Sequence, residues 1–96
     1  MSPMLTAIVL IHTDAARIPE VATAIAEVPH VSEVYSVTGE VDLIALVRVR
    51  EHDQLAEVIA DQISKVEGVQ RTETFIAFRT YSQHDLAEAF SIGLED

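Results

Sequence analysis

The chain has 96 residues, enough for one domain and too few for a second core. Hydrophobic residues make up 49% of it and the mean hydropathy is +0.25, which excludes a disordered chain and exceeds what so small a core can cover. The net charge of −10, with only six scattered Lys and Arg, argues against direct nucleic-acid binding, which needs clustered cations against phosphate.

Residues 4–13 (MLTAIVLIHT) are apolar on both alternating faces, the pattern of a central strand covered on both sides. No basic residue precedes this run, His12 interrupts it, and it is too short to span a bilayer, so it reads neither as a signal peptide nor as a membrane anchor. Pro19 suits the first turn of a helix closed by Pro29, with Ile18, Val21, Ala22, Ile25 and Val28 as its apolar stripe. Residues 31–38 (VSEVYSVT) and 41–50 (VDLIALVRVR) are β-rich runs separated by Gly39-Glu40, which reads as a hairpin. A second helix is expected from about Asp53, as N-cap, to Lys65, with Leu55, Val58, Ile59, Ile63 and Val66 as its stripe and Gly68 ending it. Residues 69–79 (VQRTETFIAFR) form a fourth strand. Ser82-x-x-Asp85 resembles a capping box opening a C-terminal helix over about 82–92, anchored by Leu86 and Phe90.

The order is β-α-β-β-α-β plus a C-terminal helix, in a single α+β domain with its core over 4–79. A faint internal repeat supports it: AIAEVPHVSEVYSV (24–37) aligns with QISKVEGVQRTETF (62–75), matching Ile25 to Ile63, Val28 to Val66 and Val31 to Val69. Two such halves make a ferredoxin-like fold. Right-handed crossovers put both helices on one face of a four-stranded antiparallel sheet. The other face has no cover, yet strands 1 and 3 are apolar on both sides. A sheet-to-sheet homodimer, an α+β barrel built from two copies, is expected to bury it.

Little in the chain points to catalysis. His12, His30, His52 and His84 have no metal-ligand spacing, and no resident metal or cofactor is expected. Ser36 or Ser82 with His84 lacks a glycine-rich elbow or an oxyanion partner. Asp85, Glu88, Glu95 and Asp96 read as a solvated face, and Asp53, Glu57 and Asp61 as an exposed stripe. The absence of cysteine fits a reducing cytoplasm. The turn Thr38-Gly39-Glu40-Val41-Asp42 differs. Gly39 can take positive φ and leave amides free at the hairpin tip. Asp42, among Val41, Leu43 and Ile44, has two readings: it accepts hydrogen bonds from turn amides, or it pairs with a ligand's ammonium while those amides receive the ligand's carboxylate. A zwitterionic amino acid offers both charges and needs no catalytic residue.

VSEVYSVTGEVDLIALVRV followed by a helix and VEGVQRTETFIAF resembles the regulation-of-amino-acid-metabolism (RAM) domain of the Lrp/AsnC family. The resemblance covers about residues 4–79. Its most specific parts are Val37-Thr38-Gly39-Glu40-Val41-Asp42 and Val66-x-Gly68-Val69-x-x-Thr72-x-Thr74. It implies a ferredoxin-like fold that dimerises through its sheets, with dimers often assembling further and binding amino-acid effectors at their interfaces. By it, Thr38, Gly39, Glu40, Val41 and Asp42 line the site, with Thr72 and Thr74 contributing from strand 4. Full-length members carry a DNA-binding helix-turn-helix. This sequence begins at strand 1 and so resembles the stand-alone form, a cytoplasmic oligomer that senses a small molecule and modulates transcription, with mixed assembly with full-length relatives as one route. Two alternatives stand: a small dimeric α+β-barrel enzyme of the monooxygenase type, which the aliphatic cavity-facing residues and missing Trp do not favour, and a purely structural assembly unit. The ACT domain shares the element order, but the TGEVD turn favours RAM.

Overall fold

The computed structural model describes residues 4–83. Of the C-terminal helix expected over about 82–92, only Ser82 and Gln83 fall within them; the rest lies outside the described residues. In chain order the elements are β1 (Leu5–Thr13), a 3-10 turn (Ala15–Arg17), α1 (Ile18–Ala26), β2 (Val31–Ser36), β3 (Leu43–Val49), α2 (His52–Ala56), a π-helical continuation (Glu57–Ile63) and β4 (Val69–Ala77). The sheet order is β2-β3-β1-β4, with every neighbour antiparallel. This is the ferredoxin-like arrangement that two right-handed crossovers produce.

β1 and β3 are the inner strands, and their register sorts their side chains. Ala7, Val9 and Ile11 pair with Val47, Ala45 and Leu43, and all six are fully buried against Val21, Ile25, Leu55, Val58 and Ile63 of the helical layer. Each Val, Leu or Ile among them contributes about 1.5–3 kcal/mol by leaving water, and each Ala less. Alternation sends Ile8 and Leu10, with their partners Leu46 and Ile44, to the opposite face, where they are only half-buried.

Both helices use the expected stripes, with shifted ends. Pro19 sits in the first turn of α1, Val21 and Ile25 are buried, and Ile18, Ala22 and Val28 pack around them. The helix stops at Ala26 because Val28 precedes Pro29, and a residue before proline is pushed out of the helical region. The second helix starts earlier than expected: its N-cap is Glu51, not Asp53. Gln54 reaches back, and its Oε1 accepts from the N–H groups of Arg50 (3.0 Å) and Glu51 (3.1 Å). Asp53 lies in the first turn, where its charge suits the helix N-terminus. The π winding also has a packing reason. Val58 and Ile63 are both buried but five residues apart, which in an α-helix would put them about 140° apart. Winding by i→i+5, marked by the Ser64 N–H to Ile59 carbonyl bond of 2.9 Å, brings them to one side.

The internal repeat is structural. After α1, Val28 N–H bonds to the Ile25 carbonyl (3.0 Å) and Val31 N–H to the Val28 carbonyl (3.2 Å); after the π segment, Val66 bonds to Ile63 and Val69 to Val66, both at 3.1 Å. The residues before the two strands, His30 and Gly68, both have positive φ, +75° and +102°. The two exits differ in crowding, because a Cβ on Gly68 would lie 2.6 Å from Val21 Cγ2. Gly68→Ala is therefore expected to lose about 2–4 kcal/mol in urea denaturation, combining left-handed strain with a core clash. His30→Gly should gain up to about 1 kcal/mol in the same assay by relieving strain alone.

Candidate functional site

The hairpin is wider than the two-residue Gly39-Glu40 connection expected. Strand pairing ends at Ser36 and Leu43, and one further bond, Val37 N–H to the Asp42 carbonyl (3.1 Å), closes a tip of residues 38–41. The cause is that Asp42 belongs to β1 as much as to β2. Its N–H donates to the Ile11 carbonyl at 3.0 Å, and its Oδ2 accepts from the Thr13 N–H at 2.9 Å. Gly39 has φ +122°, and nothing lies within 4 Å of where its Cβ would be, so backbone conformation rather than crowding calls for glycine there. Thr38, Gly39 and Glu40 are exposed, while Val41 and Asp42 are half-buried. Among the described residues the N–H groups of 38–41 have no acceptor.

Asp42 thus does part of what the plainer reading asked, but its backbone donor comes from β1 and not from the turn. Thr13 is 5% exposed. It lies two residues beyond the last β1–β3 pair, Ile11 with Leu43, so its N–H points past the start of β3 with no ladder partner. On its other side the β1–β4 register slips between His12 and Thr13. The Asp42 carboxylate fills this gap, and among the described residues only its Oδ2 has a protein partner.

Thr72 and Thr74 lie elsewhere. They pair with Ile11 and Val9 on the helix-side face of β4, half-buried at the sheet edge. β1 separates them from β3, so they stand roughly 10 Å from it at normal strand spacing. Within one chain the structure brings together Thr38, Gly39, Glu40, Val41 and Asp42 and leaves Thr72 and Thr74 apart. Two participants were not expected from the sequence, the Thr13 N–H and the Ile11 carbonyl. The bond from Thr13 to Asp42 spans 29 residues, and only the strand order reveals it.

Other surfaces offer less chemistry. A shallow, open depression over α1, lined by Pro19, Glu20, Thr23, Ala24 and Glu27, shares no residue with the turn. Among the described residues there is no group of three His, Cys, Asp or Glu able to hold a metal, and no helix long and apolar enough to cross a membrane.

The Lrp/AsnC ligand binding domain matches residues 6–87. The HTH-type transcriptional regulator FL11 of Pyrococcus horikoshii is 31% identical over 77 residues, covering 80% of this chain and 50% of that protein. The chain spans about half the length of the curated relatives it matches. Among solved structures, TTHA0845 from Thermus thermophilus is 49% identical with a TM-score of 0.78, over 82% of this chain and 99% of that one. The feast or famine regulatory protein Rv3291c of M. tuberculosis, complexed with L-methionine, is 31% identical with a TM-score of 0.67, over 82% of this chain and 54% of that one.

Because Asp42 satisfies a buried backbone donor, Asp42→Ala should cost about 1–3 kcal/mol in chemical denaturation. Asp42→Asn keeps a side-chain oxygen for Thr13 and should cost less than about 1 kcal/mol. Equal losses in the two variants would show that the carboxylate's charge, and not the bond to Thr13, is what matters there.

Proposed function

The chain belongs to the family of Lrp/AsnC ligand binding domains, and we propose that it is an effector-binding regulatory module that takes an amino acid at the turn Thr38–Asp42. Its relatives are transcriptional regulators and not enzymes, so the monooxygenase-type alternative falls away. The observation that carries the proposal is the half-buried Asp42. One of its oxygens is held by Thr13 and the other is without a protein partner among the described residues, beside four amides that lack acceptors. A carboxylate and a set of amides in one turn supply partners for the ammonium and the carboxylate of a zwitterion. The L-methionine bound to the Rv3291c relative supports this ligand class. Thr38, Gly39, Glu40, Val41 and Asp42 of one chain would form half of the site, and Thr72 and Thr74 of a neighbouring copy would enter it from across an interface.

Assembly follows from the open sheet face. Its strand residues include the apolar Ile8, Leu10, Ile44 and Leu46, and their charges are Glu33 and Glu73 against Arg48 and Arg71, two acids and two bases. These strand charges balance on a chain of net charge −10, so two copies meet there with less repulsion than elsewhere. A ligand touching two dimers would stabilise only the assembled state, which couples effector level to assembly. With so few cations the domain leaves DNA to a partner, such as a full-length regulator of the same family, in the cytoplasm.

A thermal-shift screen of amino acids including L-methionine, read together with light scattering, tests this. At least one amino acid should raise the melting temperature and change the oligomer mass. No response to any of them would favour a purely structural assembly unit. With the responding amino acid, Asp42→Asn should weaken binding by about tenfold or more in calorimetry, the cost of one charge-assisted hydrogen bond. Unchanged affinity in that variant would remove Asp42 from the site.

A further inference from the structure

On the open sheet face one titratable contact lies beside the apolar rows. His12, half-buried on the inner strand β1, faces Arg71 of β4, with His12 Nε2 and Arg71 Nη2 2.9 Å apart. Arginine only donates, so this contact requires His12 to be neutral with Nε2 as the acceptor. The other charged groups around His12 can be named from each neighbouring strand. Glu73 lies one row away on β4 opposite Leu10, and Asp42 lies beside it on the β3 side with its carboxylate turned to Thr13 N–H. Tyr35 of β2 is in the Leu10 row, opposite Ile44, and its hydroxyl donates to Glu33. Both helices pack against the other face.

In isolation this exposed contact is worth little. Covering the face changes that, because a protonated His12 would then be a desolvated cation that has lost its hydrogen bond and stands against the Arg71 guanidinium. From this geometry we propose that His12 is a proton-operated release: its neutral form permits two copies to join through the open sheet face, and its protonation drives them apart. The inference rests on the sheet-to-sheet assembly argued above and adds its regulation. The sign follows from linkage. Protonation sets a second cation against Arg71 inside the covered face, so acidification favours separation.

The test is sedimentation equilibrium of the full chain at about pH 8 and about pH 5.5, with ionic strength held constant. The dimer dissociation constant of the unmodified protein should rise about tenfold or more on acidification. In His12→Gln, which offers Arg71 a carbonyl oxygen but does not titrate, it should stay within about twofold. His12→Lys should be weakened at both pH values, with circular dichroism confirming an intact fold. A dimer that ignores pH, or the same rise in His12→Gln, overturns the switch while sparing the sheet-to-sheet dimer. A monomer at about pH 8 overturns both.

Discussion

β1 has both of its faces to remove from water, and most of the molecule follows from how it does so. Ala7, Val9 and Ile11 are sealed by the two helices, while Ile8 and Leu10, one residue out of phase, share an uncovered surface with Ile44 and Leu46. A four-stranded sheet with both crossovers on one side cannot satisfy an inner strand of this composition alone. The same strand then ends where it is needed. Past Ile11 it outruns β3, and its last buried amide, that of Thr13, is taken by the carboxylate of Asp42.

That hydrogen bond fixes the base of the turn. Without it, residues 37–42 would be an ordinary loop joining β2 to β3. With it, Asp42 is anchored by its N–H to Ile11 and by its carboxylate to Thr13, so the four-residue tip 38–41 stands on a fixed base. Through these two bonds the turn is tied to the end of β1. His12, next to Thr13, projects from that end onto the open face. The turn and the open sheet face thus meet at one strand terminus, which gives a short physical path between them.

The duplicated halves show how much freedom each exit from helix to strand has. The 25–31 and 63–69 segments repeat the same pair of backbone hydrogen bonds and the same left-handed residue before the strand. One copy holds histidine there, at the cost of some strain. The other must hold glycine, because Val21 of the first half occupies the space. The halves are alike in backbone and distinct in packing.

Much of this was legible in the residues themselves. Element order, both helix stripes, the two-faced character of β1 and β3, the repeat and the identity of the turn all follow from periodicity and from the positions of Gly and Pro, since local hydrogen bonding and burial impose those patterns on a single stretch of chain. Element ends were less legible: Glu51 in place of Asp53 as the cap, and a π winding that serves Val58 and Ile63, depend on where the sheet delivers and receives the chain. The role of Asp42 was beyond local reading. Its partner lies 29 residues away and becomes adjacent only once β3 is laid against β1. Likewise Thr72 and Thr74, one strand beyond β1 at the sheet edge, separate from the turn for a reason no linear spacing contains, the order β2-β3-β1-β4. The chain determined which strand and helix faces are apolar and where the glycine turn falls; the tertiary structure decided which distant atoms satisfy one another, because those hydrogen bonds exist only between strands brought together by folding.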